Sequence, residues 1–410
     1  MGAGKRASAV LPWALSALAA CGGTAAPPLD PGLSAHEVAA RRVLTILESR
    51  HVDGHRLDPP RARRATELLL ARLDPGGRCT DRTSELLRAY GGRARVALRS
   101  GDASLAQSMS RECSGASIDG DAARTQMFQA LAGSFDPHST YLPPERAEDR
   151  RKGREVGPGG NVRGRIVEHV GRRIAHVVLP TFYLRAGGRS AGRDLAHVVG
   201  ALATRGAEVL VLDLRGNGGG VMAEASEVLA VLAGDAALGH SAGADGAVTP
   251  FPRGRRRRAW AGPLVVWVDE GTASAAELVA AALQDQGHAL VVGGRTQGKG
   301  TVQSQIWLAS PLGARVAAVQ VTTARMYRVD GRGLQQEGVR PDVVLRLAEL
   351  PTERERPGAL PWKRIELREA DAIDRPVDEA TLEGLRKAAR GLEGDAAVWT
   401  LALRWADTTR

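Results

Sequence analysis

Between residues 162 and 347 the apolar positions switch repeatedly from a spacing of two to a spacing near 3.6, and this constrains the fold more than any other feature of the chain. Residues 163–167 and 174–179 read as strands, 191–204 as a helix, and 208–214 as a buried apolar strand. A helix over 223–233, a strand over 264–268, a helix over 273–285 and a strand over 289–292 follow, with later strands at 316–327 and 342–347. Strand, helix and strand in repetition predict an α/β core with right-handed crossovers.

The flanks are helical. Residues 35–48 carry Val38, Ala39, Val43, Leu44 and Leu47 near helical spacing, behind Ser34 as N-cap with Glu37 three residues on. Residues 61–73, 83–89 and 104–113 repeat the pattern between Asp-Pro and glycine-rich breaks, and 350–410 returns to it, most clearly over 381–390. With 410 residues, 43% hydrophobic and 25% charged, the chain is globular, with room for two or three packed units. Its formal charge of +10 is almost wholly arginine, spread through helices and loops rather than beside exposed aromatics, so nucleic acid is not an expected partner. The densest basic run, from Arg253 to Arg258, reads as a solvated loop, with attraction to anionic lipid headgroups or envelope polymers as the sharper alternative.

Residues 1–20 place Lys5 and Arg6 ahead of an apolar stretch that ends in Leu18-Ala19-Ala20-Cys21. This is an export signal by charge and length, too short for a spanning helix. The ending resembles a bacterial lipobox, which implies cleavage before Cys21 and lipidation of its thiol; the alternatives are an ordinary cleaved signal and a short apolar leader whose cysteine is incidental. Cys79 and Cys113 then remain in the mature chain. In an oxidising compartment they read as one disulfide or as two free thiols, and sequence leaves that open.

Three segments carry chemistry. Ser274, in Asp269-Glu270-Gly271-Thr272-Ala273-Ser274-Ala275-Ala276-Glu277, follows an apolar strand and opens a helix, where unpaired N–H groups and the positive dipole end lie. The commoner use of such a serine is as an N-cap. Lys299, in Thr296-Gln297-Gly298-Lys299-Gly300-Thr301-Val302-Gln303, can take a proton only as the neutral amine, so burial must lower its pKa. A phosphate-binding loop fails as an alternative, because the glycine spacing is wrong and Gly300 follows the lysine; a surface lysine stays open. Asp213-Leu214-Arg215-Gly216-Asn217-Gly218-Gly219-Gly220 ends another buried strand, and its glycines free N–H groups for an oxyanion hole or simply make a tight turn.

With Phe135-Asp136-Pro137-His138-Ser139-Thr140-Tyr141-Leu142 ahead of them, these segments resemble peptidase family S41, in its bacterial tail-specific (C-terminal processing) branch. Tyr327-Arg328-Val329-Asp330-Gly331, Glu337-Gly338-Val339-Arg340-Pro341-Asp342 and Ala359-Leu360-Pro361-Trp362 add to a resemblance over about residues 40–405. It implies an α/β (α+β) S41 peptidase core of crotonase-like βαβ type over 162–349. The core follows a 1–21 lipoprotein-type signal, a 22–34 tether, a 35–150 helical domain and a 151–161 linker, and a 350–410 helical region ends the chain. The resemblance makes Ser274 the nucleophile and Lys299 the general base of an acyl-enzyme mechanism. Gln303 would orient the lysine, Asp285 would belong to the catalytic set or shape the site, and the N–H of Ala275 with one of Gly218, Gly219 or Gly220 would form the oxyanion hole. It implies no metal or cofactor, protein or peptide substrates engaged near an apolar C-terminus, and a location in the cell envelope or periplasm, anchored to the membrane through Cys21.

One departure stands out. Family members usually carry a PDZ domain between the Asp136-Pro137-His138-Ser139 motif and the strand at 174–179, and residues 150–161 leave no room for it. Tail capture by strand addition is then not expected; the alternatives are a constitutively open enzyme, dependence on a partner adaptor protein, or substrate recognition through the helical flanks. The competing readings are an inactive scaffold on the same fold and a β-lactamase-like acyltransferase. The latter places lysine three residues after serine, where this chain has Glu277.

Overall fold

Five helices lead the chain in the computed structural model: α1 (Ala35–Arg50), α2 (Pro59–Leu73), α3 (Thr83–Ser100), α4 (Ser104–Ser114) and α5 (Gly120–Gly133). The structure describes residues 35–151, 161–185, 187–309, 315–345, 351–367, 377–392 and 394–409. The expected signal with Cys21, the tether, the Ser34 cap, most of the short linker and the end of the 342–347 strand lie outside the described residues. Asp58 caps α2 by accepting the Arg61 N–H at 2.9 Å, ahead of prolines that suit a first helical turn. Helix α3 continues to Ser100, past the end expected at residue 89. Gly91 and Gly92 each disfavour a helix by about 1 kcal/mol, but Leu86, Ala94, Ala97 and Leu98 bury one face of it, and that packing prevails. Cys79, just before α3, is disulfide-bonded to Cys113 in α4, with Cα atoms 5.3 Å apart.

The chain continues through β1 (Thr140–Leu142), α6 (Pro144–Arg151), β2 (Arg163–His169), β3 (Arg172–Val178), α7 (Ala191–Thr204), β4 (Val209–Asp213) and α8 (Met222–Ala233). Then come β5 (His240–Gly243), β6 (Val248–Pro250), β7 (Leu264–Val268), α9 (Ala275–Asp285), β8 (Leu290–Gly293), β9 (Thr301–Ala309), β10 (Arg315–Tyr327), β11 (Val343–Val344), α10 (Glu379–Ala389) and α11 (Gly394–Thr408). One sheet has the order β11-β8-β7-β4-β3-β2 and is parallel except for the β2–β3 hairpin. Helices α7, α8 and α9 cover one face through Leu195, Val228 and Leu278. The other face is covered by α10 and α11, where Trp399 meets Trp267 edge-on at 6.0 Å. Burial on both faces explains the unbroken apolar runs of residues 209–212 in β4 and 264–268 in β7. The C-terminal helices, expected as a flank, therefore form one layer of the core.

The second sheet is antiparallel, β1-β10-β5-β6, with β9 also paired to β10. Its strands β1, β5, β6 and β9 are absent from the sequence reading, since they are short or too polar to alternate clearly. Leu308, Val319 and Val321 of this sheet pack with Leu47, Leu69 and Phe128 in one hydrophobic cluster. The helical segment expected to form a domain of its own over 35–150 thus shares its core with residues beyond 300. No helix among the described residues is long and apolar enough to cross a membrane.

Candidate active site

Strands β4, β7 and β8 are parallel neighbours, so their carboxyl ends align and the three segments singled out by sequence emerge side by side. They interlock through the backbone. Asp269 Oδ1 accepts from Gly216 N at 2.8 Å and Gly271 N at 3.0 Å, Ala273 N donates to Asn217 O at 2.9 Å, and Gln297 N donates to Thr272 O at 3.0 Å.

Ser274 sits at the turn from β7 into α9 with φ 58° and ψ −120°, a left-handed conformation that a side-chain-bearing residue adopts only when its surroundings enforce it. The turn holds the serine half-buried at the mouth of the helix. Gly219 lies directly against it: a Cβ there would come 2.9 Å from Ser274 Cβ and 3.1 Å from Ala275 N, at a φ of 102°. Only glycine fits. The Gly219 N–H already donates to Asn217 Oδ1 at 2.9 Å. Of the expected oxyanion donors, Ala275, Gly218 and Gly220 keep N–H groups without a partner among the described residues.

Lys299 is half-buried on the loop after β8. Its neighbouring glycines permit close contact, since a Cβ on Gly300 would meet Gln335 N at 2.2 Å. Burial lowers the lysine pKa below its ordinary value; Glu353 and Glu277 pull it back up, Arg356 lowers it and Asp136 raises it.

Glu277, to which the sequence pattern assigns no role, joins the two segments. Its side chain is fully buried. Oε2 accepts from Ser274 N and Lys299 N, each at 2.8 Å, so those two nitrogens lie no more than twice 2.8 Å apart. Oε1 accepts from the Thr296 hydroxyl and Gly298 N, each at 2.6 Å. Burial drives the Glu277 pKa up to about 7, against the hydrogen bonds from Thr296, Gly298, Ser274 and Lys299 that favour the anion. The signal available in sequence was the Ser-x-x-Glu spacing of a capping box.

Two expected site residues are placed differently. Gln303 donates from Nε2 to Thr301 at 2.9 Å and Thr322 at 3.2 Å, and no bond joins it to Lys299 among the described residues. Asp285 is corrected more strongly. It ends the 11-residue helix that Ser274 opens, about 16 Å away, and its buried carboxylate pairs with Arg328 at 2.5 Å and 2.8 Å. That pairing occupies the carboxylate at the end of the helix opposite Ser274. The Asp136-Pro137-His138-Ser139 motif builds a buried network instead: Asp136 accepts from Ser139 Oγ, His138 N and Thr322 Oγ1 and lies 3.0 Å from His51 Nε2.

The sequence signature of Peptidase family S41 matches residues 173–345. The tail-specific protease of Haemophilus influenzae is 31% identical over 206 residues, 48% of this chain and 28% of that protein. The carboxyl-terminal-processing protease of Synechocystis is 29% identical over 180 residues, 44% of this chain and 41% of that protein. CtpA, the carboxy-terminal processing protease of Bacillus subtilis, is 31% identical over 159 residues, 39% of this chain and 32% of that protein. The chain thus spans under half the length of these relatives. Among solved structures, the photosystem II D1 C-terminal processing protease has a TM-score of 0.49 at 17% identity, covering 76% of this chain and 94% of that one. The strand-end loops, the serine turn and the glycine-flanked lysine all lie inside the segment, residues 173–345, that matches Peptidase family S41.

Proposed function

We propose that this chain is a serine peptidase in which Ser274 is the nucleophile and Lys299 its general base. The observation that carries the reading is the attachment of both backbone nitrogens to one oxygen of Glu277, which brings the two residues to the same strand ends. Neutral Lys299 removes the hydroxyl proton as Ser274 Oγ attacks the peptide carbonyl carbon, and N–H groups of Ala275 and of Gly218 or Gly220 face the oxyanion. The carbon–nitrogen bond then breaks, the lysine ammonium protonates the departing amine, and water enters by the same base to hydrolyse the ester.

The names of its relatives suggest cleavage near protein C-termini, and the short 150–161 interval suggests that tails are captured by the helical flanks or an adaptor rather than by a PDZ edge. Export, with lipidation at Cys21, belongs to the same proposal and rests on the leader sequence. The test incubates the purified mature protein, with and without envelope extract, with an unfolded, apolar-tailed protein substrate beside Ser274→Ala and Lys299→Ala. Cleavage by the wild type alone is expected; cleavage no greater than that of the variants would sink the proposal.

A further inference from the structure

Three buried carboxylates, Glu277, Asp136 and Glu353, act on Lys299 through their charge, and they differ in one respect. Each oxygen of Glu277 accepts two hydrogen bonds. Each oxygen of Asp136 is likewise doubly occupied, Oδ1 by His138 N and Thr322 Oγ1, Oδ2 by Ser139 Oγ and His51 Nε2. Glu353 alone keeps an open oxygen. Its side chain is fully buried, Oε1 is occupied by Gln335 at 3.0 Å and His138 at 2.9 Å, and Oε2 has no hydrogen-bond partner among the described residues. The cation paired with Oε2 is Arg356, with Nε 3.4 Å away.

Glu353 is also fastened to both sides of the lysine. Its N–H donates to Gln297 O at 2.8 Å, and Gln335, which binds its carboxylate, accepts from Gly300 N at 2.9 Å. It stands in the short 3-10 turn Glu353–Glu355, beyond the last strand of the core, so the placement is tertiary. A buried carboxylate oxygen without a donor is unfavourable unless a donor reaches it.

We propose that Glu353 is a positioning residue for Lys299: its open oxygen receives the lysine ammonium whenever the amine is protonated, and releases it toward Ser274 when the amine is neutral. The inference rests on Lys299 being the base. The other charged groups facing the lysine are Arg356 on the same turn, Glu277 on α9 and Asp136 on the loop after α5, with His138 behind Glu353 and His51 behind Asp136. Glu353 exerts the largest charge effect among them.

The test follows the rate at which a serine-reactive phosphonylating probe labels the full chain as a function of pH. Labelling requires neutral lysine, so it rises with pH through the lysine pKa. Glu353→Gln removes an anion and should move this rising limb to lower pH by about one pH unit, the size expected for losing a nearby opposite charge. Arg356→Gln removes a cation and should move it to higher pH. Limbs that stay in place in both folded variants, with Lys299→Ala unlabelled, would overturn the inference and leave the dyad intact. Wild-type labelling of Lys299→Ala would overturn the dyad and this inference with it. Should Glu353→Gln fail to fold, Arg356→Gln decides alone, since its side chain is 44% exposed: a higher limb supports the inference, and an unmoved or lower one overturns it.

Discussion

The two ends of α9 each bury a carboxylate, and they are satisfied in opposite ways. At the N-terminal end Glu277 is held by neutral donors, three backbone N–H groups and a hydroxyl. At the C-terminal end Asp285 is held by the guanidinium of Arg328, with Arg332 at 3.4 Å. A carboxylate bound to a buried cation is a clamp that fails when either charge is removed. One bound to dipoles orders the backbone around it while its own charge stays open to titration. The same helix thus carries a charged fastening at one end and, at the other, a carboxylate that ties together the Ser274 and Lys299 segments.

The largest stability loss is expected at the clamp. Asp285→Ala leaves the Arg328 guanidinium buried without its carboxylate and should cost about 3–5 kcal/mol, read from chemical denaturation. Probe labelling of the folded fraction should stay near wild type; a collapse there would break the contrast between the ends. Glu277→Gln should cost less stability, about 1–3 kcal/mol, because the amide keeps one acceptor. Its effect on peptidase rate should be larger, about 10²-fold, since the Ser274 and Lys299 segments lose their common tie.

The same variant carries a pH signature. The folded pKa of Glu277 is raised from 4.5 to about 7, so its contribution to stability is full below about pH 4.5 and is lost as pH rises through about 7. Denaturation midpoints of the wild type should fall relative to Glu277→Gln across that window, and parallel curves would refute the assignment. The smallest change is expected for Thr296→Val, which removes one donor to Glu277 and the acceptor of Val339 N at 2.7 Å. It should cost about 1 kcal/mol and lower the peptidase rate several-fold, measured by the same two assays.

Local pattern made the parallel sheet legible. The strands over 264–268 and the helix over 191–204 stand where their periodicity put them, because a strand or helix buried against a layer must repeat its apolar residues at its own period. The same logic missed β1, β5 and β9, which pair with β10, and β6, which pairs with β5; that pairing supplies the order that their short or polar sequences do not. Glu277 was within reach, three residues from Ser274. Glu353 was not: its contact with His138 spans 215 positions, and nothing near either residue announces the other.

The sequence by itself determined the alternation of strands and helices in the parallel sheet, the serine at a helix opening, the glycine-flanked lysine and the glycine turn ahead of both, all properties of residues within a few positions of one another. The tertiary structure alone decided that α10 and α11 form a layer of the core, that Cys79 meets Cys113, that Asp285 faces Arg328, and that Glu277 ties the Lys299 segment to Ser274. These depend on which distant surfaces pack together, and burial, which sets the charge state of each group, exists only once they have.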